Sequence, residues 1–318
     1  MYIKKNIYVP LIIIGSGPAG YTAGIYAARS NIKTIIFTGP YPGGQLLNTS
    51  SIENWPGDFK NISGYDLMER MKKHVQILNV QIFNETVIKI LCKKKNFLIF
   101  TNNTQYICDA IIIATGATAR FLNIPFEKEY LGKGISTCAI CDGYFYKEQI
   151  VAVVGGGNTA IEEALYLSNI TEKVILIHRK KTFSAEKILI ERLLKKVFEK
   201  KILIYQPYYI QEIIGNKKNI THIKIKSLEN QDNKILNISG LFIAIGYIPN
   251  SHIFKKFLQL NSTGHIILNH QQKIFTTQTS YPGIFAAGDV TDNQYQQAIT
   301  ASANGCKAAM DVEKYLHI

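Results

Sequence analysis

No apolar run in this 318-residue chain reaches the roughly 20 residues that a membrane-spanning helix needs. Residues 11–14 and 110–114 are apolar, but each run soon meets a glycine turn. The N-terminal Met1-Tyr2-Ile3-Lys4-Lys5 has neither a long apolar core nor a small-residue cleavage site, so a cytoplasmic protein is expected. Cysteine is scarce and odd in number. Of the five, only two lie close together, which argues against a secreted disulfide framework. Those two, Cys138 and Cys141, have no second CxxC and no nearby histidine pair, so zinc would lack ligands and no metal is expected. Acids are also in short supply: 36 Lys and Arg outnumber 23 Asp and Glu, a formal net charge of +13. The excess is scattered among isoleucines and asparagines, without a basic-aromatic motif. It reads as a diffusely solvated basic surface, with an acidic protein partner as the alternative and no role for nucleic acid or membrane.

What is present is ordinary globular composition, 47% hydrophobic and 19% charged, in a chain long enough for two domains. Val9-Pro10-Leu11-Ile12-Ile13-Ile14 is apolar without alternation, as in a strand buried on both faces of a parallel sheet. Gly15-Ser16-Gly17-Pro18-Ala19-Gly20 follows at once, then a helical pattern through Ala23, Ile25 and Ala28. A strand–GxGxxG–helix sequence suits a dinucleotide, whose pyrophosphate meets the glycine turn and the helix N-terminus. The second strand, Lys33-Thr34-Ile35-Ile36-Phe37, ends at Thr38-Gly39 without the acid that usually holds a ribose. Gly43-Gly44-Gln45-Leu46 and Glu53-Asn54-Trp55-Pro56-Gly57 are either plain turns or loops that approach a ligand. A helix is expected over residues 66–78, a β-meander over about 81–107, and a buried strand over 109–116.

The same order of events then recurs. Residues 150–154 form another apolar strand, Gly155-Gly156-Gly157-Asn158-Thr159-Ala160 another fingerprint, residues 208–238 another alternating region, and residues 240–246 another apolar strand ending in glycine. Two copies of one plan indicate two dinucleotide modules. At the end of the second module's second strand stand His178-Arg179-Lys180-Lys181, cations that suit the 2′-phosphate of NADP(H). Near the C-terminus, Phe285-Ala286-Ala287-Gly288-Asp289 puts a carboxylate at a strand end, and a long helix is expected from about Gln297 to Tyr315. This segment reads as the completion of the first module, with the second inserted into it. Between the two fingerprints lies Cys138-Ala139-Ile140-Cys141-Asp142-Gly143, a spacing that favours a thiolate and a reversible disulfide. A pair of unrelated thiols is the alternative. Cys92, Cys108 and Cys306 read as packing residues.

The series GSGPAG, GGQL, ENWPGD, ATGA, CAICDG, GGGNTA, HRK, AIGYIPN and FAAGDV resembles the low-molecular-weight, bacterial-type thioredoxin reductases over nearly the whole chain. The resemblance implies an α/β fold of two Rossmann-like domains, as in class II pyridine nucleotide-disulfide oxidoreductases. Residues 1–118 and 248–318 would form a discontinuous FAD domain, and 119–247 an NADPH domain carrying the dithiol. It places FAD on Gly15, Ser16, Gly17, Pro18, Ala19, Gly20, Thr38, Gly39, Gly44, Gln45, Leu46, Asn54, Ala114, Thr115, Gly116, Gly288, Asp289, Gln296, Gln297 and Ala298. NADPH would lie on Gly155, Gly157, Asn158, Thr159, His178, Arg179 and Lys180. The family's activity runs from NADPH to FAD, to the Cys138–Cys141 disulfide, and by exchange to thioredoxin. By analogy Cys141 lies nearer the flavin, Cys138 attacks thioredoxin, and Asp142 is the acid–base residue. The resemblance also implies a homodimer whose domains rotate about hinges near 118–120 and 245–247. Two departures stand out: Lys180 and Ser184 where Arg is common, and Gln296 where the family usually has Arg. A ferredoxin- or flavodoxin-NADP reductase, a reductase serving a peroxidase, and a flavin-binding sensor remain the rival readings.

Overall fold

A computed structural model describes residues 6–49, 52, 54–58, 62–93, 95–269 and 274–317. Glu53 and residues 1–5 of the sequence analysis lie outside the described residues. The first half of the chain runs β1 (Asn6–Tyr8), β2 (Leu11–Ile14), α1 (Pro18–Arg29), β3 (Thr34–Phe37), α2 (Gly64–Ile77), β4 (Gln81–Phe83), β5 (Val87–Cys92), β6 (Phe97–Thr101), β7 (Gln105–Cys108), β8 (Ala110–Ile113) and β9 (Ala117–Ala119). It continues with β10 (Ile135–Ser136), α3 (Ala139–Asp142), β11 (Ile150–Val154), α4 (Asn158–Leu167), β12 (Lys173–Ile177), α5 (Lys187–Phe198) and β13 (Ile202–Tyr205). The remainder is β14 (Tyr208–Gly215), β15 (Ile220–Ser227), β16 (Asn233–Asn237), β17 (Gly240–Ile243), β18 (Tyr247–Pro249), β19 (Ile284–Ala286) and α6 (Ala298–Leu316).

Two five-stranded parallel sheets carry the architecture, ordered β19-β8-β2-β3-β4 and β10-β17-β11-β12-β13. In each, the strand that feeds the glycine fingerprint (β2 or β11) is central and flanked by the same kinds of neighbour. Every residue of β2, β3, β8 and β17 is buried. That two-sided burial is why these strands read as unbroken aliphatic runs. The C-terminal β19 pairs in parallel with β8, Ile284 opposite Ile111, so the end of the chain completes the first sheet and the second module is an insertion in the first. Helix α6 packs along α1 so closely that a Cβ at Gly305 would stand 2.1 Å from the Ala19 carbonyl oxygen.

The meander expected over 81–107 is smaller than its sequence span. β4 leaves it and pairs in parallel with β3, Ile35 opposite Gln81, while β5, β6 and β7 form the antiparallel layer with β1 at its edge. An edge strand of a parallel sheet is partly exposed, and Gln81-Ile82-Phe83, exposed at its first residue and half-buried at the next two, lacks the unbroken burial of the inner strands for that reason. Helix α2 starts two residues earlier than expected because Ser63 caps it, its side chain accepting from the Asp66 N–H.

The two modules meet at a two-stranded antiparallel ribbon, β9 against β18, with Thr118 opposite Ile248. Among the described residues the chain crosses between the two parallel sheets through this ribbon, which overlaps the expected hinge segments at 118–119 and at 247.

Candidate active site

The first nucleotide cradle sits at the C-terminal end of the β19-β8-β2-β3-β4 sheet. Gly15 ends β2 at φ +114°, and a Cβ there would lie 2.1 Å from the Ala114 carbonyl oxygen, so no other residue fits between β2 and β8. Gly17 caps α1 without a side-chain hydrogen bond, and a Cβ on it would meet nothing within 4 Å. The first N–H groups of α1 therefore face open space, the geometry that receives a pyrophosphate. Ser16 accepts from the Gly43 N–H at 3.0 Å, and Gly44 lies against Gly17, so the loop and short 3-10 turn of Gly44, Gln45 and Leu46 line the same opening. Asn54 donates its amide to Gln297 at 3.4 Å, which brings the Asn54 loop to the Gln296-Gln297-Ala298 entry of α6. Gln297 caps α6. Gln296 is held at φ 48°, a left-handed conformation. Thr38 and Gly39 end β3, tied through their N–H groups to the carbonyls of Phe83 and Glu85. On the facing side, Thr115 and Asn250 exchange two hydrogen bonds, 2.8 and 2.9 Å, beside Gly116. Burial, with Asp292 adding, pushes the Asp289 carboxyl up to about 6.

The second cradle repeats this plan. Gly155 has φ +152°, and a Cβ there would stand 2.3 Å from the Ala244 carbonyl oxygen; Gly157 begins α4 without a side-chain cap. Asn158 is bound to Glu186 by reciprocal hydrogen bonds of 3.1 and 2.9 Å, and Thr159 is exposed at the helix start. The basic run is not uniform. Its His178 is buried, pairs Nε2 with the Thr182 carbonyl at 3.0 Å and stacks on Phe183, and burial lowers its pKa. His178 is thus a neutral wall under Gly156. Lys181 pairs with Glu229, which leaves Arg179 and Lys180 as the exposed cations at this strand end.

Cys138 and Cys141 are joined in a disulfide at the start of α3. Cys138 is the N-cap, and its Sγ accepts from the Cys141 N–H at 3.2 Å. Ser136 fixes the approach, accepting from the Cys138 N–H at 3.0 Å. Both cysteines are half-buried, and Ile140 between them is exposed. Behind them, Asp142 is largely buried with an unpartnered Oδ1. Burial raises its pKa, while the Ser136 hydroxyl pulls the other way. A carboxyl with a raised pKa beside a disulfide can serve as an acid for a leaving thiolate. The other three cysteines are unpaired, and burial pushes the Cys108 thiol well up, as expected of a packing residue. Among the described residues no cluster of His, Cys, Asp and Glu could hold a metal, and no helix is long and apolar enough to cross a membrane.

A sequence signature described as Pyridine nucleotide-disulphide oxidoreductase matches residues 9–305. A thioredoxin reductase of Buchnera aphidicola from Schizaphis graminum is 53% identical over 96% of this chain and 97% of its own. The chain belongs to the thioredoxin reductases of this family. The family's cofactors are FAD and NADPH, and the two open helix starts fit two dinucleotides. A Streptococcus pyogenes thioredoxin reductase, 36% identical, superposes over 98% of this chain and 99% of its own with a TM-score of 0.90. A Lactococcus lactis thioredoxin reductase described as in its FR conformation is also 36% identical and covers 97% and 99%, yet its TM-score is 0.65. Equal identity with such different superposition means that the same parts occur in more than one arrangement.

One residue at this site escaped the sequence analysis, and another was read there only as part of a hinge. Tyr247, the first residue of β18, donates its hydroxyl to the Thr137 carbonyl at 2.7 Å and so ties the ribbon to the dithiol segment. Burial pushes its pKa up to about 12, and the carboxylates of Glu163, Asp289 and Asp142 all act on it. That puts the dithiol face next to the Asp289 side of the first cradle. Glu163 on α4 accepts from the Ala139 N–H at 3.2 Å. In sequence, Glu162-Glu163 looks like a solvated pair, and only helical phase separates them: Glu163 falls on the side of Ala160 and Leu167, both buried.

Proposed function

We propose that this chain reduces oxidised thioredoxin with NADPH, through FAD bound in the first cradle and the Cys138–Cys141 disulfide. The observation that carries this is the half-buried disulfide at a helix start, with Asp142, whose pKa burial raises, behind it and a nucleotide cradle on either side. When bound, NADPH and FAD supply the two-electron chemistry. The chain's own residues do the rest. Residues 15–20, Thr38, Gly39, residues 44–46, Asn54, residues 114–116, Gly288, Asp289 and residues 296–298 hold FAD. Gly155, Gly157, Asn158 and Thr159 receive the NADPH pyrophosphate, His178 walls the cradle, and Arg179 and Lys180 take the 2′-phosphate. Cys141 faces the first cradle. The Cys138 thiolate attacks a sulfur of the thioredoxin disulfide and displaces the other as a thiolate, which Asp142 protonates. Cys141 then displaces the second thioredoxin sulfur and restores the Cys138–Cys141 bond. Anaerobic mixing of the NADPH-reduced protein with oxidised thioredoxin tests this: free thiols should appear on thioredoxin, and a reduced protein that transfers none contradicts the reading.

Residues 1–118 with 248–318 form the FAD domain and 119–247 the NADPH domain. The ribbon of β9 and β18 is the hinge between them, a reading supported by the two TM-scores above. A cytoplasmic location fits the three unpaired cysteines.

Arg179 makes the largest specific contribution to NADPH over NADH. Arg179→Ala removes a charge-assisted contact of about 1.5–3 kcal/mol. The KM for NADPH should rise about tenfold or more while that for NADH barely moves. Initial rates with both coenzymes check this, and a parallel rise in both constants would move Arg179 off the 2′-phosphate.

A homodimer is the assembly we propose, through an apolar stripe on α6. Ile299, Cys306 and Met310 share one helical face, and Tyr26 of α1 stands beside Cys306. Tyr26, Ile299 and Met310 are 41%, 44% and 47% exposed, large apolar side chains without cover. Met310→Glu should convert a dimer to a monomer in light scattering coupled to gel filtration. A wild-type monomer, or a dimer indifferent to the substitution, contradicts the stripe.

A further inference from the structure

Helix α4 serves both halves of the inserted domain. Its first turn is the second glycine fingerprint, and its Glu163 reaches the first turn of α3. There Glu163 Oε1 accepts from the N–H of Ala139, a helix-start donor that would otherwise have no partner. Ala139 is fully buried and directly follows Cys138. Glu163 Oε2 is also buried and has no hydrogen-bond partner. An anion at Glu163 therefore lies within one residue of the N-cap sulfur. We propose that Glu163 is a positioning residue for the dithiol: it holds the first turn of α3 through Ala139, and its charge governs how readily reduced Cys138 ionises. The inference rests on Cys138 being the exchanging thiol.

The electrostatic surroundings are one-signed. Glu162 acts on Glu163 from the same helix, the dithiol of α3 adjoins its Ala139 partner, and Glu163 and Asp142 of α3 both act on Tyr247 of β18; Glu186 of α5 is taken up by Asn158 at the other end of α4. Among the described residues no cation acts on Glu163. Burial pushes its carboxyl up to about 7, Glu162 adding and the Ala139 bond opposing, so it changes charge in the working range. Below that range Glu163 is neutral and leaves the Cys138 thiolate unopposed. Above it, the new anion disfavours the thiolate. The two groups titrate as a coupled pair, and a thiolate at Cys138 in turn favours the proton on Glu163.

The test is alkylation of the NADPH-reduced holoenzyme with iodoacetamide, read at Cys138 and Cys141 separately by peptide mass spectrometry across pH. The parent should show a broad profile with two inflections at Cys138. Glu163→Gln keeps an oxygen for the Ala139 N–H and removes the charge. It should give one steep inflection about one pH unit lower. Superimposable Cys138 profiles in the parent and the variant overturn the inference. Alkylation confined to Cys141 overturns the assignment of the thiols instead, and the inference with it. If the variant does not fold, the parent decides alone: a single one-proton inflection at Cys138 is the contrary result.

Discussion

Cys141→Ser is expected to give a protein whose flavin NADPH still bleaches and which reduces no thioredoxin above background. The substitution is small, since Cys141 is half-buried and its N–H still reaches the Cys138 sulfur. Both nucleotide cradles lie on other residues, so neither flavin binding nor its reduction needs this thiol. What is lost is the disulfide itself. Without a Cys141 sulfur, electrons have no bond to open on leaving the flavin. Cys138 can still attack a disulfide but has no partner to resolve the mixed disulfide it forms. Trapping follows as a second expected result: the variant should accumulate a covalent adduct with thioredoxin that dithiothreitol releases. Thioredoxin turnover by Cys141→Ser would mean that electrons leave by another route, which is the ferredoxin-reductase pattern.

Asp142→Asn should bind both cofactors and slow the thiol–disulfide step by about 10²–10⁴-fold, the usual contribution of a placed acid–base group. The effect carries a pH signature with a definite sign. Burial raises the Asp142 pKa, so the acid form persists to higher pH than in an exposed aspartate and is lost as pH climbs through that raised value. In the parent, the step that protonates the leaving thiolate should therefore fall on the alkaline side. Asparagine cannot titrate, so this limb should vanish in the variant. Rapid mixing of pre-reduced enzyme with thioredoxin across pH measures both effects. A rate within a few-fold of the parent, with the limb intact, would reassign the proton transfer.

Much of the fold was legible because parallel sheets leave a plain mark. β2, β8 and β17 are buried on both faces and wrote themselves as isoleucine-rich runs ending in glycine. β4 was not legible: at the edge of its sheet it is short and partly exposed, without the unbroken aliphatic burial that marks the inner strands. The dithiol and both fingerprints were readable because spacing itself carries their chemistry. His178 was a different matter. In a run of four cations nothing marks the one whose ring turns inward under Gly156, so its burial and lowered pKa come from packing alone. Glu163 was hidden in the same way, one of two adjacent glutamates of which only one faces the core. Asn54 and Gln297 lie far apart in sequence, and only the folded chain brings them within a hydrogen bond.

The measurement that bears most directly on the central claim is an anaerobic NADPH titration of the flavin-loaded protein, followed by flavin absorbance and a count of free thiols. The Cys138–Cys141 disulfide as electron acceptor predicts uptake of enough electrons for both flavin and disulfide, with two new thiols per flavin. Uptake by the flavin alone, with no new thiols, would make Cys138 and Cys141 bystanders and contradict the account.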